Sequence, residues 1–143
     1  MPLKQRIADD RVLLVDSITQ LDADDAGAWV VTGSHGGVSA AGYALAVPMA
    51  LVVFNDAGVG KDRAGIAALD LLQAAGRAAA TVAHISARIG DARDAWESGV
   101  LSHVNAAAAA LGLALGQRLR EAPITAPIRP APPAPTAPPP AAR

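Results

Sequence analysis

Four short apolar runs, RVLLVDS, AWVVTGS, MALVVFND and AAATVAHIS, recur before residue 87, and each breaks off into polar or glycine-rich sequence. Runs of about four to eight apolar residues bounded by turn formers suit strands covered on both faces; a half-exposed strand would alternate apolar with polar positions instead. The rest of the chain must therefore supply layers for both sides of a sheet. The strands are expected to end at Asp16, near Thr32, near Asn55 and near Ser86.

The intervening segments fit that demand. Residues 38–47 and 63–75 have the alanine and leucine content of helices, the second with Ile66, Leu69 and Leu72 on one face and Gly76 as its stop. Residues 99–120 read as one long helix, with Leu101, Val104, Ala108, Leu111, Leu115 and Leu119 recurring at spacings of three and four. Strands alternating with helices predict an α/β fold: a small three-layer Rossmann-like or flavodoxin-like domain with a mostly parallel sheet of about four strands. The first connection, residues 17–27, is barely long enough for a parallel crossover, so either a short helix sits there or the first strand pairs antiparallel.

Composition changes after Glu121. The segment 122–143 holds nine of the eleven prolines and almost no bulky apolar residue, so it cannot build a core. Residues 1–121 are read as a single α/β domain and residues 122–143 as a disordered, polyproline-like Pro/Ala-rich tail.

Bulk properties exclude several functions. A formal net charge of −1 gives no broad basic field for nucleic acid or anionic lipid, so neither is expected as a partner. With no cysteine there are no disulfides, thiolate metal ligands or thiol nucleophile. No secretory signal is visible at the start, and the apolar stretch 106–116 falls short of the roughly 20 residues a bilayer span needs, so the expected location is the cytoplasm. No histidine spacing suggests a metal, and no cofactor is expected.

The residues just after each strand are chemically distinctive. Asp16 and Ser17 come after the first; Gly33, Ser34, His35, Gly36 and Gly37 after the second; Asn55, Asp56, Gly58, Gly60 and Lys61 after the third; Ser86, Arg88 and Asp91 after the fourth. Ligands bind parallel sheets outside the carboxyl ends of the strands, so this edge is the candidate site. The loop NDAGVGKD fails the phosphate-loop pattern G-x-x-x-x-G-K-[ST] at two positions, Asn55 and Asp62, and Arg63 stands where a dinucleotide fingerprint needs its third glycine. Asp62 is instead expected to cap the following helix. Lysine is scarce, Lys4 and Lys61 against ten arginines, which draws attention to Lys61. In GSHGG the glycines allow close backbone approach, and the helix start after Gly37 offers free amides to an anion.

These residue types suggest roles. His35, Asp56, Lys61 and Ser34 are the candidate catalytic groups; Gly36, Gly37, Asn55, Arg88, Ser86 and Asp16 are the candidate substrate contacts. Arg88 either forks onto a carboxylate or phosphate or braces its loop against Asp91. His84, inside the fourth strand, reads as a packed histidine, and His103 as part of the last helix. The expected function is an enzyme, a lyase, isomerase or hydrolase, acting on a compact anionic substrate by acid–base chemistry. The alternative is a non-catalytic metabolite-binding or accessory subunit. Alanine-rich helices permit close packing between copies, so a homo-oligomer is expected.

Overall fold

The computed structural model describes residues 3–8 and 11–122. The fold is α/β, built on one six-stranded sheet: β1 (Lys4–Ile7), β2 (Val12–Val15), β3 (Trp29–His35), β4 (Leu51–Asn55), β5 (Ala79–Val82) and β6 (Leu101–Val104). The strands lie side by side in chain order; β2 to β5 are parallel, and β1 and β6 pair antiparallel on the two outer flanks. The four expected strands are present as β2 to β5. The two flanking strands escape the sequence pattern for different reasons. Lys4, Gln5 and Arg6 in β1 are exposed, as suits a charged edge strand.

β6 falls inside the segment read as a long helix, and that helix does not form. Val100 to Val104 instead pair with the open edge of β5, satisfying backbone groups that would otherwise be unpartnered. Asn105 then caps a five-residue helix, α4 (Ala106–Ala110). Gly112 and Gly116 adopt left-handed conformations, and the returning chain bonds to the outer side of β6 through Gly116 N to Leu101 O (2.8 Å) and Leu101 N to Gln117 O (2.9 Å). The misleading stripe drew on alanines and on leucines either side of these glycines, which helix and turn accommodate equally well.

Helices α1 (Val38–Leu45) and α2 (Ala67–Ala74) make the β3 to β4 and β4 to β5 connections. Two short 3₁₀ turns, Ile18–Gln20 and Ala23–Asp25, make the parallel β2 to β3 connection, which is the short-helix alternative of the two expected. Each step moves one strand along in the same direction. The strand order, which the sequence leaves open, therefore has no reversal among its parallel strands, and all three connections lie on one face. Leu13, Val15, Val30, Val52 and Phe54 pack there against Ala40, Ala41, Ala44, Leu69 and Leu72.

The opposite face carries Val12, Leu14, Trp29, Val31, Leu51, Val53 and Val82. Ala92 and Ala95 of α3 (Ala92–Ser98) cover it, with Leu113 and Leu119 from the terminal segment. To reach that face the chain leaves β5, runs along the carboxyl edge as residues 83–91, and enters α3 over β2 and β3. Among the described residues no helix is long and apolar enough to cross a membrane. The Pro/Ala-rich tail lies outside the described residues beyond Ala122.

Candidate functional site

Alternation along each strand decides where the polar tips go. Because successive side chains point to opposite faces, Asp16 follows Leu14 toward the α3 side, and Asn55 follows Val53 the same way. Both meet the return segment 83–91. Asp16 Oδ1 accepts from Ala92 N (2.9 Å), the first residue of α3, and its Oδ2 accepts from Leu3 N (2.7 Å). Asn55, fully buried, donates Nδ2 to Ala87 O (3.0 Å) and accepts from Ala57 N (2.8 Å). Ser86 Oγ donates to Ala83 O (2.7 Å) and accepts from Val100 N (3.0 Å). All three, expected to contact substrate, have backbone partners within the protein.

Gly33 belongs to the same bracket. Gly90 N donates to its carbonyl at 2.7 Å, and a Cβ on Gly33 would overlap the backbone of Gly90 and Asp91. Asp91 caps α3 by accepting from Asp94 N (2.9 Å), and Arg88 N donates to Asp94 Oδ2 (2.7 Å). The Arg88 guanidinium forms no side-chain bridge to Asp91 and is exposed.

On the α1 side, Ser34, His35, Ser39 and Tyr43, with Asp16 and Gly33 at the strand ends, line an open cavity of about 400 Å³ bordered by the 3₁₀ turn around Ile18 and by Ile89 and Gly90. Ser34 Oγ accepts from Ile18 N (3.0 Å), which fixes the hydroxyl at the mouth of that turn. His35 is exposed, and its ring occupies space that any side chain at Gly37 would enter, since a Cβ there would sit 2.7 Å from Cε1. Gly36 N donates to Gly65 O (3.0 Å), and its carbonyl accepts from Ala68 N (2.8 Å), so this glycine locks the two glycine-rich loops backbone to backbone. Lys61, Arg88, Asn55 and Asp56 do not line the cavity.

The loop NDAGVGKDRAG winds tightly above β4. Ala57, Gly58, Val59, Gly60, Asp62 and Arg63 all have positive φ, four of them without the freedom of glycine, at a typical cost of about 1 kcal/mol each. The path closes on itself through Val59 N to Asp56 O and Gly65 N to Val59 O, both 2.7 Å. A Cβ on Gly65 would overlap Asp56 O, so the turn requires glycine there. This closure takes residues 61–66 through a kink at the left-handed Asp62 and Arg63 and delays the helix to Ala67. Asp62 is therefore an exposed loop residue rather than the expected helix cap; Ile66 stands at the N-cap of α2 and makes no side-chain capping bond. Lys61 is exposed on this loop, with no ion pair among the described residues.

Beyond the loop, on its β5 side, Asp56 anchors a network that the sequence did not reveal. Its carboxylate is buried and accepts from Gly58 N (2.8 Å), His84 N (3.0 Å) and Ser102 Oγ (2.8 Å), and His84 Nδ1 lies 3.4 Å away. Burial pushes the Asp56 carboxyl up, but the bonds from Gly58, Ser102 and the His84 amide outweigh it and hold the group below its ordinary range. His84 is not a packed strand residue: β5 ends at Val82, and the imidazole is half exposed in the turn that follows. His103 lies in β6, its Nδ1 3.2 Å from both Thr81 Oγ1 and Ser102 Oγ.

A bulge creates this convergence. Thr81 and Val82 on β5 face His103 and Leu101 on β6, leaving Ser102 as an extra residue whose hydroxyl turns toward Thr81 and Asp56. The motif HVN after a serine carries no bulge signal, and only the pairing of β6 exposes it. No protein-family model matches the chain, and no curated protein and no solved structure shows significant similarity to it.

Proposed function

We propose that the chain is a small-molecule enzyme, a lyase, isomerase or hydrolase, that binds a compact carboxylate or phosphate at the carboxyl edge of the sheet and moves a proton there. The observation that carries this reading is the 400 Å³ cavity in which Ser34, His35 and Ser39 meet at the start of α1. A volume of this size admits a metabolite. The first amides of α1 and the two serine hydroxyls are donors for an anion, and His35 is the proton carrier. Lys61 and Arg88, exposed on neighbouring loops, supply positive charge to the same edge and raise the local concentration of anions.

A second reading, a metabolite-binding or accessory subunit without turnover, draws support from Asp16, Asn55 and Ser86, whose polar atoms are already committed to the fold. Assembly into a homo-oligomer is part of the proposal; Val38 and Leu71, both exposed and lining one groove between α1 and α2, are candidates for its contact.

Titration of the ¹⁵N-labelled full chain with inorganic phosphate and with malonate tests the site. Amide shifts concentrated at residues 34–40, weakened by His35→Ala, are expected. Shifts confined to other surfaces, or none with either anion, overturn it. Proton NMR of candidate metabolites incubated with the chain separates the two readings: conversion lost in His35→Ala supports the enzyme, and binding without conversion supports the subunit.

A further inference from the structure

We propose that Asp56 orders the protons of a polar network that joins His103 and His84, so that His84 offers Nε2 as a proton acceptor at the carboxyl edge and Ser102 is the positioning residue that holds Asp56. No member of this network lines the 400 Å³ cavity, and the inference does not rest on that cavity having a ligand.

Proton counting carries it. Each hydroxyl has one proton to donate. Ser102 Oγ donates to Asp56 Oδ2 at 2.8 Å, so in the contact between Thr81 and Ser102 (2.9 Å) the donor is Thr81. With both hydroxyl protons assigned, the Thr81 and Ser102 oxygens 3.2 Å from His103 Nδ1 are acceptors, which puts a proton on that nitrogen. At the other end, Asp56 Oδ1 has only donors around it: Gly58 N, the His84 amide and, at 3.4 Å, His84 Nδ1. At that distance the carboxylate charge would repel an unprotonated Nδ1, so the charge favours a proton on this nitrogen as well. In its neutral form each imidazole thereby carries its proton on Nδ1, His84 beside the Asp56 charge and His103 through the hydroxyls of Thr81 and Ser102.

The consequence for chemistry lies at His84. With the proton on Nδ1, beside Asp56, Nε2 holds the free lone pair, on a side chain 53% exposed. The group it serves is a hydroxyl or a water. The O–H bond breaks, its electron pair stays on oxygen, the N–H bond forms at Nε2, and Asp56 keeps its charge and stabilises the imidazolium without receiving a proton. Gly58 matters to access: a Cβ there would approach His84 Cε1 to 3.4 Å, so the loop passes close over the ring. The β-bulge is the device that makes the arrangement, because without the extra residue Ser102 would point to the other face of the sheet.

Long-range ¹H–¹⁵N correlation of the imidazole rings in the folded full chain reads the tautomers directly, at a pH where the rings are neutral, with His35→Gln, His84→Gln and His103→Gln for assignment. The expected result is Nδ1–H for both His84 and His103. Asp56→Asn should return His84 toward Nε2–H, Ser102→Ala should do so in part, and Ser102→Thr should restore the wild-type spectrum, while His35 keeps its own. A wild-type His84 protonated on Nε2 overturns the proposal. So does a His84 tautomer unchanged in Ser102→Ala, a variant whose one backbone loss is the long contact from Ser102 Oγ to Thr81 O (3.4 Å) and whose amide spectrum reports whether it is folded.

Discussion

The two faces of the sheet treat the same kind of residue differently at the carboxyl edge. On the α3 side, Asp16, Gly33 and Asn55 hold down the segment 83–91 as it crosses from β5 to α3. On the α1 and α2 side, Ser34 and His35 line a cavity that Asp16 and Gly33 also border, and Asp56 faces the half-exposed His84. The contrast follows from topology. A sheet whose crossovers all fall on one face leaves the other to be covered by a late segment, and that segment must be anchored where it crosses the strand tips. Parity separates Asn55 from its neighbour Asp56 on β4, whereas on β3 the register shifts between Val31 and His35, and Ser34 and His35 both line the cavity.

Substitutions can break this division. The largest effect is expected for Gly33→Ala, whose new methyl has only the Gly90 and Asp91 backbone to displace; a loss of about 3 kcal/mol in urea unfolding would reflect overpacking against main chain. A loss below about 1 kcal/mol would mean that the return segment is not seated on β3. Asn55→Ala comes next, at about 2 kcal/mol, because it leaves Ala87 O and Ala57 N without their partner in a buried setting. An unchanged midpoint would remove the bracket role.

Asp56→Asn should be milder at neutral pH, about 1 kcal/mol, since the amide can keep some of the bonds. Its signature is the pH dependence. The folded carboxyl titrates below the ordinary 3.8, so its contribution is present above that value and is lost as pH falls through the lower folded value. The stability gap between wild type and Asp56→Asn should therefore narrow on acidification below about pH 4. A gap that widens there would contradict the charge-stabilising bonds from Gly58 and Ser102.

Much of the fold was legible. The four apolar runs marked β2 to β5, and the polar residues after them do lie at one edge, because a parallel sheet sends every strand tip the same way. Legibility failed where local pattern was weak. Nothing in LSHVNAAAAALGLALG distinguishes a helix from a strand, a short helix and glycine turns until the open edge of β5 selects β6. His84 was misplaced for a similar reason: AHIS continues the apolar run, and only the end of pairing at Val82 puts the imidazole in a turn beside Asp56.

The amino-acid order alone determined an α/β chain with a parallel sheet covered on both faces and polar chemistry gathered at the strand ends, since hydrophobic periodicity and turn residues act over a few neighbouring positions. Tertiary structure alone decided the order of the strands, the route of the segment 83–91, and the meeting of Asp56 with His84 and Ser102. Those depend on contacts between residues tens of positions apart, where backbone pairing and steric fit choose among partners that local sequence leaves equal.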